Sequence, residues 1–539
     1  MLICTFCIQS QNTIGTTLDT SQSFDGFTLI TPTSDAIPNS TYLINNCGEI
    51  INEWLSDFKG QGADLIMEDG SLFRGAFDNM STLNIPGNNG RLEHFDWDGS
   101  LIWGYTFSDT DFSFHHDYFP LSNGNILMIV TERMTQAEAI QAGRDPALIS
   151  QGDIYTEKIV EVEPVGSNDI NIVWEWNLWD HLIQDFDNTK DNFGVVGDNP
   201  QLLDINFIGF SNGDPNWLHT NSMHYNEDLD QVLLNSRLLG QFFIIDHSTT
   251  TAEAATNSGG NSGRGGDFLY RWGNPQSYDQ GDAADQKLFG AHSIHWIEEG
   301  LPDAGKLMLF NNGLTRNFTT IEVITPPAID GNGNYDYTPG TAYGPANGDI
   351  RYQAPVPTDF FAPFLSSAYQ LENGNILIDN GPVGQLFEVN EAGDIVWEYV
   401  SPVLLDGTIL SQEDPPGDIN SRFFRARRYA PDYAGFDGRD LSPGLPIEMN
   451  PIFENCELLS IDEIQVNNLV TLEATYIEED ISIRTKLDSF ELAIFNMEGQ
   501  ILHKSNSEKT VDVSHLPSGL YFVRIDIDGS SLVEKIIKK

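Results

Sequence analysis

Six of the chain's eleven histidines fall in three short segments, FHHDYFPLSNGN (114–125), WLHTNSMHYN (217–226) and FGAHSIHWI (289–297). Histidine is the side chain whose proton chemistry and nucleophilicity lie in the working pH range. Each segment precedes a strand pattern that repeats along the chain, so the imidazoles are expected on one side of a repetitive fold. Arg237 directly follows the LLNS strand and would reach the same place. Two chemistries compete for such a set. Three neutral histidines suit zinc, but a catalytic zinc usually adds ordered carboxylates. Asp117 is the one carboxylate within these segments, and no HExxH spacing occurs. The other chemistry is an oxyanion site, in which Arg237 offers a planar fork, the histidines add directional donors and Asn221 a neutral one. A sulfate- or phosphate-like group fits that inventory, and an unprotonated histidine could attack its central atom. His94, His181, His247, His503 and His515 read as hydrogen-bonded core or loop residues.

The elements that must position these groups are β-strands. Helical periodicity is almost absent, and short β-rich runs bounded by Gly, Asn and Asp recur. One unit follows a Gly-x-Ile-Val-Trp-x-Trp/Tyr pattern: CGEIINEW (47–54), DGSLIWGY (98–105), INIVWEW (170–176), DFLYRW (267–272) and AGDIVWEY (392–399). A second is a turn and an apolar strand: NGNILMIV (123–130), LDQVLLNS (229–236), AGKLMLFN (304–311) and NGNILIDN (373–380). Asn-Gly between alternating apolar strands is a hairpin signal. Repeated four-stranded sheets with tryptophans at matching places are what a β-propeller needs. The expected fold is all-β, with a six-bladed propeller over 16–455. Trp174, Trp272 and Trp397 are expected to pack between blades, and loops at the inner strands would gather the histidine segments at the central axis.

The flanks differ. MLICTFCIQSQNTIG reads as the remnant of a secretory signal peptide over 1–15, whose basic start is missing. Cys4 and Cys7 would leave with it. Cys47 and Cys456 remain, one before the first repeat and one after the last, either as a disulfide or as two thiols. Residues 456–485 read as a linker. After it, FELAIFNMEGQILHKS and VDVSHLPSGLYFVRIDIDGSSLVEKIIKK describe a small antiparallel sandwich over 486–539, with Leu520, Phe522 and Arg524 alternating against Tyr521, Val523 and Ile525. The formal charge of −52 argues against nucleic acid and anionic membranes as partners. No run of about 20 apolar residues is present to form a transmembrane helix.

Two resemblances sharpen this reading. LPSGLYFVRI and EKIIKK resemble the C-terminal sorting domain of the type IX secretion system of Bacteroidetes, which implies interaction with secretion machinery and passage across the outer membrane. WLHTNSMHYNEDLDQVLLNSR, RWGNPQSYDQGDAADQKLFGAHSIHW, SSAYQLENGNILIDNG and FRARRYAPDYAGFDGRDLSPG resemble the arylsulfotransferases over roughly 45–450. That resemblance implies a six-bladed propeller moving a sulfuryl group from a phenolic sulfate ester to a phenolic acceptor, without nucleotide donor, cofactor or metal. It implies His292 as the transiently sulfated nucleophile, with His219, Asn221 and Arg237 on the sulfate. His115 and His116 both qualify as acid and base. His295 and His224 are further substrate-binding candidates, and His295 is an alternative nucleophile. Ala291 and Ser293 flank His292 where relatives commonly carry Gln and Asp. A homodimer is what the family suggests. An aryl-sulfate hydrolase and a non-catalytic binding propeller are the alternative functions.

Overall fold

A computed structural model describes residues 13–451, apart from 79, 150 and 415–419. It also describes 470–472, 476–477, 479–485, 489–496, 500–527 and 530–539. Residues 1–12 of the signal remnant expected over 1–15, with Cys4 and Cys7, and Cys456 lie outside the described residues. Cys47 is disulfide-bonded. The chain divides into two units, Met1–Thr17 with Ser23–Pro451, and Leu18–Gln22 with Ile452–Lys539.

Among its described residues the larger unit holds six successive antiparallel sheets, each with a run of four strands in simple order, besides a short parallel pair. Their inner strands are, in turn, Ala426–Tyr429, the split pair Lys59–Gly60 and Leu65–Ile66, Phe112–Pro120, Thr220–Asn226, His292–Trp296 and Ser367–Gln370. The first sheet takes its inner strand from the far end of the unit, because Ala426–Tyr429 pairs with Phe27–Ile30. Middle strands such as Gln231–Ser236 and Gln241–Asp246 are buried along their whole length, whereas the outer strand Asp169–Asn177 is mostly exposed. Burial on both faces is why the middle strands read as continuous apolar runs.

Side chains alternate across each strand, so every sheet serves two cores. Leu127 and Ile129 pack with Val232, Leu234 and Phe243 of the next sheet, while Met128 and Val130 pack with Phe73, Leu92 and Trp103 of the preceding one. The same holds from the last sheet to the first, where Leu377, Leu386 and Trp397 meet Ile30, Ile44 and Ala426. The repeated tryptophans sit at these seams. Trp54 donates its indole N–H to the Asp96 carbonyl, Trp103 to Asp169, Trp272 to Pro345 and Trp397 to Asn46, each on the following sheet. Burying a large apolar side chain stabilises by about 1.5–3 kcal/mol, against about 1 kcal/mol net for a hydrogen bond. Packing therefore holds each seam, and the indole bond fixes its register.

Three inner strands are not regular. Their pairing shifts between Phe114 and Tyr118, between Thr220 and Ser222, and between His292 and His295. At these irregularities His116, His219 and Ser293 take φ of 52°, 48° and 53°. A non-glycine residue in the left-handed region costs roughly 1–2 kcal/mol. A bulge re-aims the side chains around it, and strain of this kind gathers at functional sites.

The smaller unit contains two sheets around one core. Tyr521, Val523 and Ile525 are its buried set, packed with Leu492, Ile494 and Val511. Its strands start earlier than the expected boundary at 486. Val470–Leu472 and Asp480–Thr485, within the segment read as a linker, pair with each other, and Asp480–Thr485 also pairs with Thr510–Asp512. The Glu- and Thr-rich composition concealed a strand whose buried residues are only Ile481 and Ile483. Residues 456–469 lie outside the described residues. No helix among the described residues is long and apolar enough to cross a membrane.

Candidate active site

The bulged strands bring His116, His219 and His292 to one cavity of about 350 Å³, with Arg237 beside them. Phe364, Leu365, Phe424 and Pro86 supply its apolar wall, and Arg422 is a second cation on the lining. Among the described residues no carboxylate lines it, although the chain carries 79 Asp and Glu. The volume lies at the small end of ligand cavities, about 300–1,000 Å³.

The proton on His292 is set by a neighbour. Its Nδ1 lies 2.7 Å from Asn312 Oδ1, while Asn312 Nδ2 donates to the carbonyls of Ala362 at 2.7 Å and Leu365 at 3.1 Å. Those two carbonyls fix which way the amide faces, so Asn312 can only accept from the ring. Nδ1 therefore carries the hydrogen and Nε2 keeps its lone pair. Burial, followed by the positive charge of Arg237, lowers the ring's pKa to about 3, against the pull of the Asn312 bond. His292 is thus a neutral imidazole, with its Nε2 lone pair unprotonated, at ordinary pH.

His219 is the complement. Asn216 Nδ2 donates to its Nδ1 at 3.0 Å, which leaves Nε2–H as a donor. Burial, then Arg237 and His292, hold its pKa well below the ordinary value. Arg237 donates to the Pro363 carbonyl at 3.3 Å and has no ion-pair partner among the described residues. A charged fork and a neutral N–H donor beside a lone pair can hold a tetrahedral oxyanion for in-line attack.

The HHD motif divides. His116 lines the cavity, with its ring centroid 4.8 Å from that of His219. His115 is fully buried behind it, and the two Nδ1 atoms are 2.8 Å apart. His115 Nε2 is 2.8 Å from Glu157 Oε2. Burial, then His219, His115, His292 and Arg425, hold His116 well below its ordinary pKa.

Three other candidates lie elsewhere. Asn221 is fully buried and donates to the Ala291 carbonyl at 2.9 Å, which Asn235 also holds at 2.7 Å. Asn221 thereby positions the strand entering His292. His224 and His295 line two adjoining cavities of about 630 and 640 Å³ that share Glu298 and Arg427. The His295 ring lies 4.6 Å from that of Tyr369, and its Nδ1 donates to the Ser293 carbonyl. His94 bonds Ser71, His181 bonds Asp267 and Ala254, and His247 sits between Asp230 and Glu161. Among the described residues no group of three or more His, Cys, Asp or Glu is placed to hold a metal ion.

Sequence reasoning did not find Glu157, Asn312 or Arg425. Glu157 lies in a middle strand 42 residues from His115. Asn312 is marked only by the NN pair that ends LMLFNN. Arg425 joins Asp117 at 2.6 Å to the Asn221 carbonyl at 3.3 Å, tying three inner strands together.

Comparisons with known proteins agree with this chemistry. No curated protein matches the chain. Among solved structures it is similar to a protein of unknown function from Bacteroides caccae, with 11% identity, TM-score 0.36, and 69% of this chain and 93% of that one covered. It is also similar to the periplasmic gluconolactonase PpgL of Pseudomonas aeruginosa, with 12% identity, TM-score 0.35, and coverage of 70% and 97%. Likenesses this loose carry no argument. The family described as "Secretion system C-terminal sorting domain" matches residues 477–539, which points to export. The family described as "Arylsulfotransferase (ASST)" matches residues 15–399, most of the chain and all three histidine segments. The chain belongs to the arylsulfotransferase family.

Proposed function

We propose that this protein is an aryl-sulfate sulfotransferase working by a two-step, ping-pong cycle on a closed six-bladed propeller. The observation that carries the reading is the fixed lone pair of His292 Nε2 beside Arg237 in a cavity whose described lining holds no carboxylate. In the first step Nε2 attacks the sulfur of a phenolic sulfate ester in line. The N–S bond forms, the S–O bond to the phenol breaks, and the phenolate leaves. Arg237 and His219 Nε2–H hold the sulfuryl oxygens, where a loose transition state needs positioning and charge more than covalent help. Phe364, Phe424 and Leu365 supply the surface for the aryl ring. In the second step an acceptor phenol takes the sulfuryl group from His292 and restores the ring. The neighbour-to-neighbour cores and the Trp397 bond from the last sheet to the first support closure of the propeller. The sorting domain supports release or attachment outside the outer membrane.

Initial-rate kinetics with 4-nitrophenyl sulfate and phenol test the reading. Parallel double-reciprocal lines and phenyl sulfate as product are expected. Inorganic sulfate as the sole product, unchanged by added phenol, would show a hydrolase. No turnover of any aryl sulfate would leave a binding protein.

A further inference from the structure

We propose that Glu157 and His115 form a relay that sets the proton on His116 and so makes His116 the base for the acceptor phenol. This rests on the sulfuryl-transfer reading above. Glu157 lies in the strand Ile154–Val165 and is 3% exposed. Its Oε1 accepts the backbone N–H of Thr220 at 3.3 Å, and its Oε2 lies 2.8 Å from His115 Nε2. One carboxylate thus ties the HHD strand to the residue after His219. An ionised carboxylate only accepts, so the relay places a hydrogen on His115 Nε2 and a lone pair on its Nδ1. The 2.8 Å contact between the two Nδ1 atoms then places the hydrogen on His116. The lone pair of His116 is left on Nε2, the nitrogen outside the relay.

The cavity wall is shaped around that nitrogen. A Cβ on Gly87, whose φ is 74°, would lie 2.3 Å from His116 Nε2. Only glycine leaves the atom its place. Burial first, then His219, His115, His292 and Arg425, favour the neutral form of His116. A satisfied core pair would need neither the cavity nor a backbone at φ 52°.

The acceptor step then balances. The phenol oxygen attacks the sulfur on His292, the S–N bond breaks, and the phenol proton passes to His116 Nε2. The imidazolium keeps its Nδ1–H on His115, whose Nε2–H points at the Glu157 charge. The next departing phenolate takes the proton back. Over a cycle, aryl sulfate and phenol exchange the sulfuryl group with no net proton. Glu157 and His115 touch no substrate and are positioning residues.

An amide at 157 can donate to His115 and reverse both tautomers, so Glu157→Gln tests the relay with little change of shape. With 4-nitrophenyl sulfate as donor, the variant is expected to slow transfer to phenol on the order of 10²-fold. Transfer to pentafluorophenol, already ionised at the assay pH, should suffer far less, as should the first burst of 4-nitrophenolate. Equal losses on both acceptors would overturn the relay. Histidine ¹⁵N resonances of the wild-type protein, independent of how the variant folds, should show His116 protonated on Nδ1. Protonation on Nε2 would also overturn it. A wild-type protein giving no burst and no transfer, with that tautomer present, would defeat the sulfuryl-transfer reading, and the catalytic role of the relay with it.

Discussion

His292 Nδ1 and Asn312 Oδ1 stand 2.7 Å apart, and the Asn312 amide is pinned by two carbonyls on its other side. This contact decides which nitrogen of His292 keeps its lone pair for the proposed attack. Asn312→Ala removes the acceptor and lets the ring turn and exchange tautomers. Displacement of a reacting group by about 1 Å costs on the order of 10²-fold, and that loss is expected in the burst of 4-nitrophenolate. A stopped-flow burst as fast as that of wild type would mean the ring is held by something else.

The pH dependence of the first step follows from burial. His292 has its pKa lowered to about 3, so its reactive neutral form is present above that value and is lost only as pH falls towards it. Single-turnover formation of the sulfo-enzyme should therefore be level from about pH 5 to 8, where an ordinary histidine near 6.5 would titrate. A fall in rate centred near pH 6.5 in single-turnover measurements would contradict this.

Arg237 offers a fork where lysine offers a point charge. Arg237→Lys keeps the charge but loses the paired donors on the sulfuryl oxygens. A loss of about 10²-fold in kcat/KM is expected, the size seen when one oxyanion donor is removed. Steady-state assay with 4-nitrophenyl sulfate checks it, and a loss of less than about threefold would move the sulfate elsewhere in the cavity.

The parts of this site differ in how far sequence shows them. His219, His292 and Arg237 were legible because each stands at the edge of a recurring apolar strand. The choice between His115 and His116 was not, since neighbours in a regular strand face opposite ways and the register shift between Phe114 and Tyr118 has no glycine to announce it. His224 and His295 were grouped with the others by proximity in sequence, and strand alternation carries them to different cavities. Glu157 lies in a middle strand and Asn312 just past the end of another, and only the completed sheets bring them to the histidines. The sheet repeat itself was readable in its tryptophans and turns. The strand that completes the first sheet was not, because ARRY is short and charged and its partner lies about 400 residues away.

His247 makes a separate, structural prediction. Burial lowers its pKa, but the bonds to Asp230 at 2.6 Å and Glu161 at 3.1 Å outweigh that and raise it to about 9. A raised pKa stabilises the fold fully below the unfolded value of 6.5, and the contribution fades as pH rises through about 9. The upper bound is on the order of 3 kcal/mol. Chemical denaturation of His247→Gln and wild type should show a stability gap at pH 6 that narrows towards pH 9.5. A gap that stays constant or widens would contradict the charged pair.

The proposed cycle turns on a covalent sulfuryl group on His292. Intact-mass measurement after mixing the protein with 4-nitrophenyl sulfate, without acceptor, tests it most directly. Wild type should gain the mass of one sulfuryl group, lose it on addition of phenol, and yield a modified peptide containing His292, while His292→Ala gains nothing. An adduct that persists in His292→Ala, or maps to His295, would contradict the account.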